Sequence, residues 1–599
     1  MHAPITRHGA VAWLTCLVLM VTACSATSND VGALDVVIEA PVGLSVQVHV
    51  TDRHGRDVAT LERSATVPGL PEGTYTLDAA PGTLDGVPYV ALPRRQTLTL
   101  ESATVAARST LVVVRYRPES TSDTEPPAGT DHDQPAAPDD PSSDPGEPTP
   151  QPPSDDDPTT PPTGEPEPPP GDHDVRPGSR AFHVDCVAGD DGRSGLSVGE
   201  AWRSLGRLSG LVLEAGDRVL LRRGCEWVGP LRVPWSGSAE WPVVVGAYGE
   251  GARPVVRDSG LNHVDISGSY VIVEHLHART TPGTVWEDPA CAMQPVGWRT
   301  GFTIQHEARH VTIRHSRAEG NTAGVHVTRG ASHNRIVHNE LVGNVIMSVN
   351  TNDGGFDDSG AWGIVLNGTD NQIAYNYFSG NRAWCSYDFG IEGASVEVYE
   401  AQRNVIHHNL SVDDYTFSEL GSSSRREARD NVYAYNRYVS SLPVSQFLVL
   451  RGAGAHFGPT PGTRAFHNTV YLSNPDQSQG VVCYSGCGPD MLELRNNILW
   501  VEWKGVYADA AFAESNNVYW RSDGRPLLQF FGAGSSMSAS SLIADPRFSN
   551  AAGGDLTLRS DSPAIGAGAP LDLGFERDAT GVPLPIGTPP SIGAHEHTH

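Results

Sequence analysis

Short runs of alternating apolar and polar side chains occupy residues 32 to about 117, as in Leu44-Ser-Val46-Gln-Val48-His-Val50 and Leu111-Val-Val-Val-Arg-Tyr116. Turn signals such as Pro71-Glu-Gly73 and Pro81-Gly82 separate the runs. Period-two patterning broken at regular intervals predicts a small antiparallel β-sandwich over 24–117. The pattern then stops. From 118 to 178 the chain is Pro, Asp, Glu, Thr and Ser with almost no large apolar residue. Such a segment cannot bury enough surface to offset its ordering entropy, so it is expected to be a disordered linker, stiffened by proline and extended by charge repulsion.

From 179 onward the pattern returns as a recurring phrase: Asn334-Arg-Ile336-Val-His-Asn339, Asn371-Gln-Ile373-Ala-Tyr-Asn376, Asn404-Val-Ile406-His-His-Asn409 and Asn431-Val-Tyr433-Ala-Tyr-Asn436. Less regular copies flank it at Val311 to Ser316 and Leu494 to Ile498. A repeat of roughly 23 to 37 residues is that of a solenoid, in which no single coil buries its own apolar face. Short β-branched triplets bounded by turn residues fit strands rather than helices. Stacked one coil above the next, the closing asparagines can bond up and down a ladder and satisfy amides that would be costly to bury alone.

Both ends of this region resemble one superfamily. Gly189-Asp-Asp191, Ala201-Trp-Arg-Ser204-Leu and Ala215-Gly-Asp217-Arg-Val219 resemble the N-terminal cap of pectate-lyase-like proteins. Asp545-Pro-Arg-Phe548, Asp555-Leu-Thr-Leu558, Ser562-Pro-Ala-Ile565 and Ser591-Ile-Gly593-Ala594-His-Glu596 resemble their C-terminal end. The resemblance implies an all-β chain whose residues 179–599 form a right-handed parallel β-helix. It says less about chemistry, because the superfamily hosts lyases, hydrolases, epimerases, adhesins and phage tailspikes. Upstream, Gly69-Leu-Pro-Glu-Gly-Thr-Tyr75-Thr-Leu77 resembles the last hairpin of carboxypeptidase-regulatory-like sandwich modules, which points to a spacer.

If the solenoid forms, alternate residues of each strand point outward and successive coils stack about 4.8 Å apart. Aligning the strands ahead of the asparagine phrases puts His326, Val365, Glu397 and Glu419 in one outward column, with Arg451 on the next strand of the same face. Two glutamates on adjacent coils would be about 5 Å apart at the backbone, the separation a retaining glycosidase uses. Mutual repulsion would raise the pKa of one of them, as an acid at neutral pH requires. The run Trp384-Cys-Ser-Tyr387-Asp388-Phe-Gly-Ile-Glu392 adds Asp388 and Glu392, and an inverting pair of Asp388 with Glu419 is equally compatible. Each carboxylate taken alone could equally be solvated surface. Trp362, Trp384, Tyr387 and Tyr399 are candidates to stack on sugar rings, some of them serving loop packing instead; His407 and His408 read as corner residues.

The loop Asn350-Thr-Asn352-Asp353-Gly-Gly-Phe-Asp357-Asp358 offers several oxygen ligands on a glycine-rich turn, which suits calcium, although the same residues are common turn chemistry. Three functions therefore stay open: a glycoside hydrolase, a lyase or uronate epimerase using calcium with Arg451, Arg314 or Lys504 as base, and a non-catalytic glycan-binding surface protein.

Composition adds constraints of address rather than chemistry. The chain has 599 residues and a net charge of −28, which argues against a nucleic-acid partner. Lys504 is its one lysine. A basic start at Arg7 and His8, the apolar run Val11 to Val21 and the closing Val21-Thr22-Ala23-Cys24 read as a secretory leader over 1–23, too short to span a bilayer. The last four residues resemble the bacterial lipobox, which implies lipidation of Cys24 and an exported, membrane-anchored chain. The chain is expected to be a monomer, and its expected partner, from the β-helix resemblance, is a polysaccharide. Of eight cysteines, six lie beyond Cys24: Cys186, Cys225, Cys291, Cys385, Cys483 and Cys487. An even number in an exported chain reads as disulfides, with Cys483–Cys487 and Cys186–Cys225 as candidate pairs, and no pair of ligands has zinc spacing.

Overall fold

The computed structural model describes residues 31–39, 44–54, 56–62, 65–71, 73–84, 87–92, 95–100, 109–118, 176–281, 298–350, 357–525, 528–530 and 537–597. The leader, Cys24, Cys291, Asn352, Asp353 and nearly all of the Pro/Asp-rich segment lie outside these residues, as does the side chain of Cys385. The chain divides into two compact units, Met1–Gly146 and Glu147–His599.

In the first unit a five-stranded and a four-stranded sheet enclose a core of Val46, Val48, Val50, Val67, Leu70, Tyr75 and Leu77. The alternation seen in sequence is the reason: Val48, Val50, Tyr75 and Leu77 point inward while their neighbours face water. Pairing is antiparallel throughout except between the first strand, Val31–Glu39, and the last, Ser109–Pro118, which run parallel.

The second unit is a right-handed parallel β-helix. Three parallel sheets of 12, 12 and 11 strands run its length. One coil shows how the phrase makes the turn. Asn334 precedes strand Arg335–Val337 of the first sheet, Ile336 points into the core, and His338 takes a left-handed backbone (φ 54°). Asn339 then opens strand Glu340–Val342 of the second sheet. That left-handed corner is disfavoured for a residue with a Cβ. It recurs at Tyr375, His408, Tyr435 and His467, whose rings stack along the solenoid with centroids 4.8–5.1 Å apart.

The asparagine ladder is present and longer than the phrases alone suggest. Asn339, Asn376, Asn409, Asn436, Asn468, Asn497 and Asn517 each pass a side-chain amide bond to the next, at 2.9–3.1 Å. A second ladder links the phrase-opening residues Asn334, Asn371, Asn404 and Asn431. A third runs Asn321, Asn344, Asn381 and ends on the buried carboxylate of Asp414. Both candidate disulfides form, Cys186–Cys225 and Cys483–Cys487. The C-terminal residues 545–596 fold back on the coils: Arg577 O receives the His408 Nε2 bond at 3.0 Å, and Gly593 donates to Asn496 O at 2.7 Å.

Candidate active site

The third sheet carries the site. Its register stacks His326, Val365, Glu397, Glu419, Val449 and Val482 as direct neighbours on successive coils. The flanking Val325, Val327, Ile364, Leu366, Val396, Val398 and Leu420 are all buried in the core, so the row between them points outward. Glu397 and Glu419 thus sit on adjacent coils, their backbones about 4.8 Å apart.

This row floors a cavity of ≈ 500 Å³. Trp298 and Trp362 stand at one end, Phe457 and Tyr484 at the other, with Tyr399, Tyr415 and Gln446 alongside. A wall comes from the hairpin of Ala383–Ser386 with Gly390–Glu392, which brings Phe389, Ile391 and Glu392 over the floor. Residues 357–359 complete it.

The three glutamates have different surroundings. Glu419 forms an ion pair with Arg451, whose guanidinium also donates to Leu420 O at 2.7 Å and to the Tyr484 hydroxyl at 3.0 Å. The register partner of Glu419 is Val449; Arg451 lies two residues further along the same face and reaches back. Among the described residues Glu397 has no such partner, and burial followed by the charge of Glu419 pushes its carboxyl well above the usual range against the opposing pull of Arg451. Glu392 is raised likewise, by burial and then by Glu419 and Glu397. The Tyr415 hydroxyl is pushed up by burial and by Glu419 and Glu392. His326 is held toward the neutral form by burial, its Nε2 2.8 Å from Asn367 Oδ1.

The remaining sequence candidates separate from this cluster. Asp388 does not line the cavity: its Oδ2 accepts the backbone N–H of Asp357 at 2.9 Å, because the hairpin turn aims it at that segment. Asp358 in turn accepts from the Ser386 hydroxyl and the Asp388 amide, both at 2.8 Å. Asp357, Asp358 and Asp388 offer oxygens within 4.8 Å of one another and could hold a cation at the cavity wall. Trp384 is 53% exposed with Arg382 over its ring at 5.0 Å, and Tyr387 donates its amide to Asn350; neither lines the cavity. Trp362, Tyr399, His326 and Arg451 do. Of the other basic candidates, Arg314 pairs with Glu274 in the first sheet, and Lys504 lies against Trp503 and Tyr507, three strands beyond Glu419.

Sequence reasoning missed Trp298, Asn367, Tyr415, Gln446, Phe457 and Tyr484. Two had a signal in the strand alignment, since Tyr484 is the register partner of Arg451 and Gln446 that of Thr416. Trp298 and Phe457 arrive on loops and had none.

Fold and site together define a parallel β-helix protein with a carboxylate-floored cavity on one sheet. No sequence family and no curated protein matches the chain. Among solved structures it is similar to a GH136 lacto-N-biosidase from Eubacterium ramulus, at 16% identity and a TM-score of 0.43 over 61% of this chain and 67% of that one. It is also similar to an alginate lyase from a Paenibacillus strain (13%, TM-score 0.38, 58% and 99%) and to a pectate lyase (15%, TM-score 0.36, 70% and 97%).

Proposed function

We propose that this chain is an exported glycoside hydrolase, anchored through Cys24, that cleaves a polysaccharide in the cavity by a retaining mechanism. The observation that carries the reading is the in-register pair Glu397–Glu419, with a cation beside one member and not the other. A carboxyl raised by burial beside an ion-paired carboxylate divides the roles of acid and nucleophile. Glu419, ion-paired with Arg451, attacks the anomeric carbon as the glycosidic bond breaks. Glu397, protonated, gives its proton to the departing glycosidic oxygen. Glu397 then takes a proton from water, the water oxygen attacks the anomeric carbon, and the bond to Glu419 is released. The aromatic walls suit the apolar faces of sugar rings.

The lyase alternative needs a free basic side chain near the substrate. Arg451 is engaged by Glu419, and Arg314 lies in another sheet, which favours hydrolysis.

The test is a Glu397→Gln and Glu419→Gln pair assayed on the glycan the purified protein degrades. Each is expected to lose at least about 10³-fold in kcat. Azide should rescue Glu397→Gln on a substrate with an activated leaving group, yielding the glycosyl azide of retained configuration. Full activity in both variants, or products absorbing near 230 nm from elimination, would sink the proposal.

A further inference from the structure

The row that floors the cavity continues past the carboxyls. On the side of Glu397 away from Glu419 come Val365 and then His326, direct neighbours on successive coils. Two strand spacings separate His326 from Glu397, ~10 Å at the backbone. Displacement at the anomeric carbon puts nucleophile, carbon, departing oxygen and acid in one line. With Glu419 as nucleophile and Glu397 as acid, the departing part of the substrate therefore lies on the His326 side.

The hydrogen bonds behind His326 decide what it offers there. Asn367 Nδ2 donates to the Tyr399 carbonyl at 2.9 Å, which fixes the amide and leaves its Oδ1 toward the imidazole. An amide oxygen only accepts, so the ring nitrogen 2.8 Å from it, His326 Nε2, carries the hydrogen. Burial disfavours a second proton on the ring. Nδ1 is then a bare lone pair. It makes no hydrogen bond among the described residues, yet it is not sealed from solvent. The ring lines the cavity, edge-on to Trp298 with centroids 5.1 Å apart. A lone pair at a partly desolvated wall favours a group that brings its own hydrogen.

We infer that His326 recognises the leaving-group side of the substrate: its Nδ1 accepts a hydroxyl hydrogen from a sugar unit beyond Glu397, and Asn367 is the positioning residue that keeps the imidazole proton on Nε2. The inference rests on the hydrolase reading of the same site and adds a subsite to it. The departing unit is then a sugar with a free hydroxyl at that place. An etherified or acylated oxygen, which has no hydrogen to give, is rejected.

The tautomer is read by nitrogen NMR on the purified full chain carrying isotope-labelled histidine, with the His326→Phe spectrum identifying the ring. Nε2 is expected to be protonated and Nδ1 bare; a protonated Nδ1 would overturn the inference whatever the protein hydrolyses. Recognition is measured on a panel of glucans, xylans, mannans, galactans and polyuronates. For the polymer from which the parent releases reducing ends, kcat/KM is compared with that on the aryl glycoside of the released product, whose leaving group carries no sugar. His326→Phe is expected to lose roughly tenfold more on the polymer than on the aryl glycoside. Equal losses would overturn the inference and leave the hydrolase reading standing; release from no polymer would overturn both. Asn367→Leu removes the acceptor facing Nε2 and is expected to show mixed tautomers with part of the same selective loss. A tautomer unchanged from the parent would take the positioning role from Asn367.

Discussion

Glu397 and Glu419 carry the same functional group one coil apart, and the difference between them is made by Arg451. The guanidinium pairs with Glu419 and opposes, without cancelling, the upward push on Glu397. The acid must be protonated to act, so the alkaline limb of a pH–rate profile belongs to Glu397. Removing the cation removes the pull that opposes that push. Arg451→Met should therefore shift the alkaline limb to higher pH and lower kcat on the order of 10²-fold, measured as kcat and kcat/KM against pH. An unmoved alkaline limb would mean that Arg451 does not tune Glu397. The carboxylate column could be read from the sequence because side chains alternate along a strand, whereas the reach of Arg451 could not. Register places Val449, not Arg451, opposite Glu419, and only packing decides where a long side chain two residues away comes to rest.

At the scale of the element, the ladders let this chain bury amides that would otherwise be a penalty. The phrase-closing ladder was legible because its residues repeat in a fixed local context. The third ladder was signalled too, by the recurring dipeptides Gly320-Asn321, Gly343-Asn344 and Gly380-Asn381, whose glycines have φ of 57–70°. Its last rung departs from the pattern. Asp414 accepts from the Asn381 backbone and side chain at 2.6 and 3.1 Å and from the Ser395 and Ser411 hydroxyls at 2.6 and 3.0 Å. Even so, burial pushes its carboxyl up to about 6. A group whose pKa is raised on folding contributes stability that is full below its unfolded value, near 3.8, and lost as pH rises through about 6. An asparagine there continues the ladder, turns its amide toward two hydroxyls that can accept, and cannot ionise. Asp414→Asn is expected to stabilise the solenoid at pH 8 by at most ~3 kcal/mol, with the gain shrinking toward pH 4.5 in denaturant titrations. A variant less stable than the parent at pH 8 would show that Asp414 is needed as a carboxylate.

At the scale of the whole molecule, the solenoid and its C-terminal return are closed over buried imidazoles. Burial lowers His263, His408 and His467 to about 4 and His595 to about 3. Two of them lie where the C-terminal segment meets the coils: His408 donates to Arg577 O, and His467 accepts from Asn496, which also bonds Ala569 O. A histidine whose pKa is depressed by folding contributes stability above its unfolded value, near 6.5, and loses it as pH falls toward about 4. Four such groups outweigh the opposite trend of the raised carboxyls Asp414, Glu392 and Glu397. The melting temperature is expected to fall steeply between pH 6.5 and 4.5, and a flat profile across that window would contradict neutral burial of these rings.

The sequence by itself determined the β-helix, the asparagine ladder, both described disulfides and the outward column that holds Glu397 and Glu419. The solenoid, the ladder and the column follow from a local period, which survives in one dimension; the right-handed parallel form came with the resemblance of both ends to pectate-lyase-like proteins, and the cysteine pairs from their even number in an exported chain. The tertiary structure alone decided that Arg451 folds back onto Glu419, that a hairpin carries Glu392 over the floor while turning Asp388 toward Asp357 and Asp358, and that Trp298 and Phe457 close the ends of the cavity. Loops between coils have no repeat to read. Their conformations are set by contacts with strands far away along the chain, and those contacts exist only once the coils are stacked.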